Sequence, residues 1–172
     1  MRNLDATFTY TINGSEEKEF NTDLTGSENE QEIREAIAEA QTEQLQEQGP
    51  EEEKEYSADD VELTGVTSSE DVHEKYLSLE RIFDYADYFC ECDHEAEVVN
   101  AAIDCDIQGC DIDEAYQGAY KDNEDFAQET ADQLGAVDKN AAWPINCIDW
   151  EYAAKELMYD YCESNGHYFR NM

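Results

Sequence analysis

The stretch "TFTYTINGSEEKEF", residues 7–20, decides how the chain begins to fold. Phe8, Tyr10 and Ile12 alternate with threonines, as in a strand that buries one face. Asn13-Gly14 favours the two positive φ angles of a type I′ turn, which joins antiparallel strands. The stretch therefore predicts a β-hairpin.

A helix and a third strand are predicted after the hairpin. Ser27 and Glu30 match the S-x-x-E capping box that starts a helix. This helix of four to five turns ends near Gly49-Pro50. A strand is predicted at about 61–66, which makes residues 1–66 a ββαβ module. The apolar positions of the helix are Ile33, Ala36, Ile37, Ala40 and Leu45.

Residues 67–108 form a predicted helical middle module. Ser78 is a candidate N-cap, with Leu77 and Ile82 placed as a hydrophobic staple. Two apolar stripes follow at helical spacing. The first stripe is Leu79, Ile82, Phe83, Ala86 and Phe89, and the second is Ala96, Val99, Ala102 and Ile103.

Residues 109–172 form a predicted C-terminal α+β module. "NEDFAQETADQLG", residues 123–135, predicts a helix that ends at Gly135, and another helix is predicted from Asp149 to about Tyr159. A hairpin turning at Asn165-Gly166 ends the chain. The predicted fold class is α+β, an elongated chain of small modules. Apolar positions of the 123–135 helix are Phe126, Ala127, Thr130, Ala131 and Leu134.

The charge of the chain is extreme. Its 172 residues include 45 acidic and 10 basic ones, for a formal net charge of −35. Hydrophobic residues make up 40% and recur at helix and strand periods, so a folded protein is expected rather than a disordered one. Such a chain is repelled by anionic membranes and by nucleic acid. Neither is an expected partner.

The cysteines are expected to be reduced. The start of the chain has no apolar run typical of a signal peptide, which favours a cytoplasmic protein. In that compartment, Cys90, Cys92, Cys105, Cys110, Cys147 and Cys162 are predicted to be free thiols, mostly buried.

No metal or cofactor is expected. The segment starting at Asp104 imitates a calcium loop but has Ala115 where a bidentate Glu is required. Cys90-x-Cys92-x-His94 with Cys105 and Cys110 lacks the paired spacing of a zinc site.

Catalysis is not expected either. His73 and His94 lie 21 residues apart in the predicted middle module, and His167 lies in the C-terminal module. The sequence has no nucleophile elbow, phosphate-binding loop or glycine-rich fingerprint. The chain is predicted not to be an enzyme.

The carboxylates of the 123–135 helix suggest a different use for the charge. Asp125, Glu129 and Asp132 share one side, and this segment contains no Lys or Arg. Duplex DNA carries one charge per about 1.7 Å, so 35 net charges match roughly 60 Å of duplex. A compact globule of this length spans only about 40 Å, so an elongated arrangement is expected. The charge predicts a mimic of DNA whose ion-pair partners lie in another protein.

Three alternatives remain open at this stage. Adaptation to high salt would also produce an acidic, lysine-poor chain. An acidic chaperone or a histone-type partner would carry a similar surface. An inhibitor of another nucleic-acid-binding system, such as a CRISPR effector, would use the same carboxylates against a different target.

The C-terminal third resembles the ArdA-type antirestriction proteins. The resemblance lies in "DIDEAYQGAYKDNEDFAQE", "IDWEYAAKELMYDY" and the closing "GHYFR", and is clearest over residues 109–172. It is weaker through "SLERIFDYADYF" and does not extend to residues 1–66, which it marks as divergent. The resemblance implies a homodimer that imitates DNA and blocks the DNA-binding groove of type I restriction-modification enzymes. It also implies a bacterial host cell, with the gene on a phage, plasmid or transposon.

The resemblance assigns roles to particular residues. The expected mimic surface consists of Glu124, Asp125, Glu129 and Asp132, with Asp111, Asp113, Glu114 and Asp122 added from their sequence context. The expected scaffold or dimer residues are Tyr116, Tyr120, Trp150, Leu157, Tyr168 and Phe169.

Overall fold

Two compact units make up the fold, and the fold class is α+β, as predicted. The computed structural model describes residues 2–48, 55–138, 143 and 145–172. The units are Met1–Glu97 and Val98–Met172, here called the N-terminal and C-terminal units. Their boundary lies inside a helix, and the finer division into three modules stays a prediction.

The N-terminal unit is built on a three-stranded antiparallel sheet. Its strands β1 (Leu4–Ile12), β2 (Lys18–Leu24) and β3 (Val61–Ser68) lie in the order β2-β1-β3. Asn13 and Gly14 have φ angles of 51° and 71°, and the Ser15 amide donates to the Ile12 carbonyl at 3.0 Å. The predicted ββαβ order and the turn are therefore confirmed.

One face of this sheet is the core of the unit. Even-numbered residues of β1 are buried, and Phe8 stacks on Phe83 with ring centroids 6.0 Å apart. The opposite face carries threonines and carboxylates, with Asp5 paired in register with Asp23. Like charges directly opposite each other destabilise a sheet. The acidity therefore extends to the strands.

Helix α1 (Glu30–Gln48) begins two residues later than the sequence suggested. Asn29 is the cap, because its side chain accepts from the Gln31 and Glu32 amides at 3.0 and 3.2 Å. Glu32 completes the box by accepting from the Asn29 amide at 2.9 Å. The predicted Ser27/Glu30 box is wrong. The predicted helix end at Gly49-Pro50 lies outside the described residues.

Two further helices follow β3. They are α2 (Ile82–Glu91) and α3 (Ala96–Asp104). Arg81 rather than Ser78 is the N-cap of α2, because residues 78–81 form a separate turn that precedes the helix. Three-residue 3-10 helices lie at Ala58–Asp60 and Glu74–Tyr76.

The C-terminal unit pairs a second small sheet with two helices. A 3-10 helix (Gly109–Asp111) precedes α4 (Ile112–Ala115), and another (Ile145–Cys147) precedes the last helix. The sheet order is β4-β6-β5, formed by β4 (Tyr116–Ala119), β5 (Tyr161–Ser164) and β6 (His167–Arg170). Helices α5 (Asn123–Gln133) and α6 (Trp150–Leu157) pack against each other.

Local signals in this unit were predicted correctly, with one exception. Asn165 and Gly166 have φ angles of 51° and 81° in the β5–β6 turn, and Asp149 caps α6. Phe126 and Ala127 are buried, but Leu134 is 77% exposed. Leu134 follows the last residue of α5, beyond the part of the helix that packs on the core.

The prediction of six reduced thiols is wrong at two positions. Cys105 and Cys162 form a disulfide, with Cα atoms 5.8 Å apart and a sequence separation of 57. Cys92 is buried, whereas Cys110 and Cys147 are exposed. Sequence spacing could not show that the end of α3 and strand β5 lie side by side.

Candidate functional site

The N-terminus of α5 is held by a carboxylate. Asp122 is the N-cap and accepts from the Asp125 amide at 2.9 Å. Its carboxylate also lies 3.2 Å from the Lys121 ammonium. The Asp125 amide and then Lys121 stabilise the charged form and lower the pKa of Asp122. Asp122 therefore has a structural role whatever else it contacts.

The other predicted mimic residues lie at or near the surface of the C-terminal unit. Glu124 and Asp125 are exposed in the first turn of α5, where the helix dipole favours negative charge. Glu129 and Asp132 are half-buried further along the helix. Of the residues around α4, Asp113 and Glu114 are exposed and Asp111 is half-buried.

An aromatic cluster packs against the buried side of α5. Phe126 stacks on Tyr168, with ring centroids 4.5 Å apart, and Tyr120 lies 5.0 Å from Phe126. The Tyr168 hydroxyl donates to Asn123 at 2.7 Å. Burial, then Glu163, Asp122 and Asp125, raise the pKa of Tyr168 to about 12. The negative charges of Glu163, Asp122 and Asp125 are therefore close enough to Tyr168 to disfavour its ionisation.

The residues predicted to serve the scaffold make contacts within this unit. Tyr116 lies 5.4 Å from Phe169, centroid to centroid, and its hydroxyl is 3.0 Å from His167 Nδ1. Tyr168 and Phe169 are fully buried, while Trp150 and Leu157 are half-buried on α6. Their role in a dimer stays a prediction.

An open groove of about 650 Å³ lies between α5, α6 and the last hairpin. Two of the unit's basic residues, Lys121 and Lys155, line it together with four carboxylates. These carboxylates belong to Asp122, Glu124, Glu151 and Glu163. The surface of the groove beside α5 therefore carries both positive and negative charges.

Helix α1 carries a regular row of carboxylates that the prediction of site residues omitted. Of the 45 acidic residues, 29 lie in the N-terminal unit. Four exposed glutamates are spaced three, four and four residues apart along α1, so they share one side. We call Glu32, Glu35, Glu39 and Glu43 the α1 row. The spacing rule used for residues 123–135 would have found it.

A second group of carboxylates in this unit surrounds α2. Asp84, Asp87 and Glu91 lie three and four residues apart on the helix. The loop at Gly26 packs against Asp87 and Cys90, which brings Glu28 close. Burial, then Asp84, Glu91 and Glu28, raise the pKa of Asp87. We call Glu28, Asp84, Asp87 and Glu91 the α2 cluster.

Replacing Asp87 by Asn is expected to stabilise the N-terminal unit. The change removes two like-charge pairs on α2, each costing about 0.2–0.5 kcal/mol. Because the folded-state pKa of Asp87 is raised, the charge is a penalty above that pKa and vanishes as pH falls below the unfolded value of 3.8. The gain in melting temperature, measured by calorimetry, should therefore be present at pH 7 and absent near pH 3.

Asp59→Asn is the matched control, because Asp59 is exposed at a 3-10 turn outside α2. Equal gains for both variants would show that net charge, rather than the α2 cluster, controls stability.

The candidate zinc ligands have other contacts. The Cys90 thiol donates to the Leu24 carbonyl at 3.4 Å, and burial is the main reason that its pKa is raised. Cys105 is held in the disulfide. Among the described residues, no three His, Cys, Asp or Glu side chains are grouped to hold a metal ion. No helix in the same residues is long and apolar enough to cross a membrane.

Comparison with known families identifies the family of the chain. A family model described as "Antirestriction protein (ArdA)" matches residues 20–169. The chain belongs to the ArdA family of antirestriction proteins. Curated proteins and solved structures give no significant match.

The ArdA match is wider than the resemblance seen in the sequence. It begins within β2 and ends within β6, so it includes α1 and much of residues 1–66. The α1 row, the α2 cluster and the carboxylates of α5 all lie within the ArdA region. The family match therefore extends over residues of both units.

Proposed function

We propose that this antirestriction protein mimics duplex DNA and occupies the DNA-binding groove of type I restriction-modification enzymes. The observation that carries the proposal is the regular spacing of exposed carboxylates on folded helices, most clearly in the α1 row. Family membership supplies the antirestriction function. The mimicry of DNA and the type I enzyme as the target are the parts that we propose in addition to family membership.

The spacing of the α1 row can be compared with that of phosphates. At 1.5 Å per residue, steps of three and four residues place carboxylates about 4.5 and 6 Å apart along the helix. One DNA strand carries a charge per about 3.4 Å of axis, and the duplex one per about 1.7 Å. Roughly three such rows side by side therefore reach the duplex density. Helices α2 and α5 carry further carboxylates at spacings of three or four residues.

The rows of carboxylates reduce the stability of the helices that carry them, and a role in binding explains why they are present. Like charges three or four residues apart destabilise a helix, and at Asp87, where burial is the main reason that the pKa is raised, Asp84 and Glu91 raise it further. Neither α1 nor α5 has a basic residue in its last turn to offset the helix dipole. These carboxylates become favourable when Lys and Arg side chains of a partner lie against them.

The mechanism follows from the charge. Carboxylates held on folded helices substitute for phosphates, and the basic groove exchanges its counterions for them. Long-range attraction accelerates the encounter, and added salt weakens both the rate and the affinity. The protein needs no catalytic group or cofactor for this. It acts as a homodimer in the cytoplasm of a bacterial host, encoded by a mobile element.

An inhibition assay tests the choice of target. Purified protein is added to a type I restriction-modification enzyme and, in parallel, to a CRISPR effector nuclease, with cleavage and methylation measured. We expect stoichiometric inhibition of the type I enzyme at concentrations that leave the CRISPR nuclease active. Inhibition of the CRISPR nuclease alone would contradict the proposal. Inhibition of both enzymes to the same degree would show that the protein acts only as a nonspecific polyanion, which would also contradict the proposal.

A further inference from the structure

Two exposed tyrosines lie near the C-terminus, Tyr152 on α6 and Tyr159 in the turn that follows the helix. Tyr152 is 61% exposed and Tyr159 is 70% exposed. They are seven residues apart, which is about two helical turns. Beyond the end of α6 at Leu157, the Tyr159 amide donates to the Glu156 carbonyl at 3.4 Å and the Asp160 amide to the Leu157 carbonyl at 3.0 Å, so tighter turns of the same hand carry the chain past Tyr159. Both tyrosines therefore lie on the same side.

A carboxylate lies between the two rings along the helix. Glu156 follows Tyr152 by four residues and precedes Tyr159 by three, which places it on the same side. It is exposed. We call Tyr152, Glu156 and Tyr159 the Tyr-Glu-Tyr face. Exposed neighbours add more negative than positive charge: Asp149, Glu151 and Asp160 against Lys155.

Charge decides what this face can bind. At this face, a second copy of the chain would bring Glu156 and its acidic neighbours against the same carboxylates, and an apolar partner would leave those carboxylates buried without water or a cation. A cation satisfies both parts of the face, because aromatic ring faces attract cations and carboxylates pair with them. Arginine fits better than lysine, since its planar guanidinium stacks on a ring while its edge donates to a carboxylate.

We propose that the Tyr-Glu-Tyr face binds arginine side chains of the target enzyme, with a guanidinium stacked on Tyr152 or Tyr159 and paired with Glu156. The proposal rests on the proposed function and adds a contact that imitates no phosphate. A tyrosine ring is uncharged, so its contribution releases no counterions. The rings should therefore raise affinity equally at all salt concentrations, whereas carboxylates contribute mainly at low salt.

The test compares two double variants of the full chain. Tyr152→Leu/Tyr159→Leu keeps apolar side chains but removes the rings, and Tyr152→Phe/Tyr159→Phe keeps the rings. Binding to the type I enzyme is measured between 50 and 300 mM salt. The leucine variant should bind about 10-fold more weakly at every salt concentration, with an unchanged slope of log K against log salt. The phenylalanine variant should match the wild type.

Several outcomes would overturn the inference. Wild-type affinity in the leucine variant would show that the rings contribute nothing. Equal losses in both variants would assign the effect to the hydroxyl groups. A smaller mass by sedimentation for the leucine variant alone would make the face a contact between copies of this chain.

A second probe separates this inference from the proposed function. If the wild type fails to bind the type I enzyme, an arginine-rich peptide and a lysine-rich peptide of equal length are compared instead. Preference for the arginine peptide that is lost in the leucine variant supports the Tyr-Glu-Tyr face even though the proposed target is wrong. Equal binding of the two peptides by the wild type overturns it.

Discussion

Neutralising the α1 row by four Glu→Gln substitutions is expected to weaken binding to the restriction enzyme by up to roughly 1000-fold. Each exposed ion pair with the target is worth about 1 kcal/mol at most, and four of them give about 4 kcal/mol. The slope of log K against log salt should fall by about one for each pair lost. Titration of the enzyme with the variant at several salt concentrations measures both quantities.

The same variant should be more stable than the wild type. Neighbouring carboxylates of the row form three like-charge pairs, each costing about 0.2–0.5 kcal/mol. The amide side chain that replaces the Glu32 carboxylate can still accept from the Asn29 amide, as in a capping box. Weaker binding together with a higher melting temperature excludes unfolding as the cause.

A control for this variant lies on the same helix. Gln44→Ala/Gln46→Ala changes two exposed positions of α1 without changing the charge, and should bind like the wild type. A fully active quadruple variant would show that α1 does not contact the target. Loss of all activity after a single substitution would favour a catalytic residue over a distributed surface.

Breaking the Cys105–Cys162 disulfide is expected to destabilise the C-terminal unit by about 4 kcal/mol. The bond joins the end of α3 to β5 across a sequence separation of 57, and closing a loop of that length restricts the unfolded chain by about this amount. Cys105→Ser/Cys162→Ser should lower the melting temperature by roughly 15–30 °C. A reductant should do the same to the wild type and nothing to the variant.

The two exposed cysteines outside the disulfide provide the control. Cys110→Ser/Cys147→Ser should leave the melting temperature and its sensitivity to reductant unchanged. Thiol titration of the denatured, unreduced wild type should find four free cysteines. Six free thiols in protein purified without reductant would contradict the disulfide.

Local conformation could be predicted from the sequence where one residue type determines it. Asn-Gly pairs at residues 13–14 and 165–166 adopt positive φ in both hairpins, because few other residues tolerate that conformation. The end of α5 follows from Gly135, whose φ is 66°, for the same reason. Such signals need no knowledge of the rest of the fold.

The position at which α1 begins depends on tertiary contacts, which the sequence does not show. Residues 25–32 contain overlapping capping boxes starting at Thr25, Ser27 and Asn29. The structure uses Thr25 with Glu28 and Asn29 with Glu32, while Gly26 takes a φ of 84° against α2. The sequence could not select among them. The Cys105–Cys162 bond and the approach of Glu28 to Asp87 also join residues that are far apart in the sequence, so they too could not be predicted from local patterns.

The candidate site was predicted from α5 and the residues just before it, and that choice was too narrow. The carboxylates of α5 were found from their helical spacing, and the family resemblance then assigned them to the mimic surface. The α1 row has the same helical spacing, and the α2 cluster needs the fold to bring Glu28 to the helix. The exposed Tyr152 and Tyr159 could not be distinguished from core aromatics before their burial was known.

Equilibrium competition with DNA tests the central claim most directly. A type I restriction-modification enzyme is mixed with a labelled duplex carrying its recognition sequence, and the protein is added over a wide concentration range. The account predicts that the apparent Kd for DNA rises in proportion to protein concentration without reaching a plateau, and that no ternary complex forms. A plateau, or a complex containing enzyme, DNA and this protein together, would contradict it.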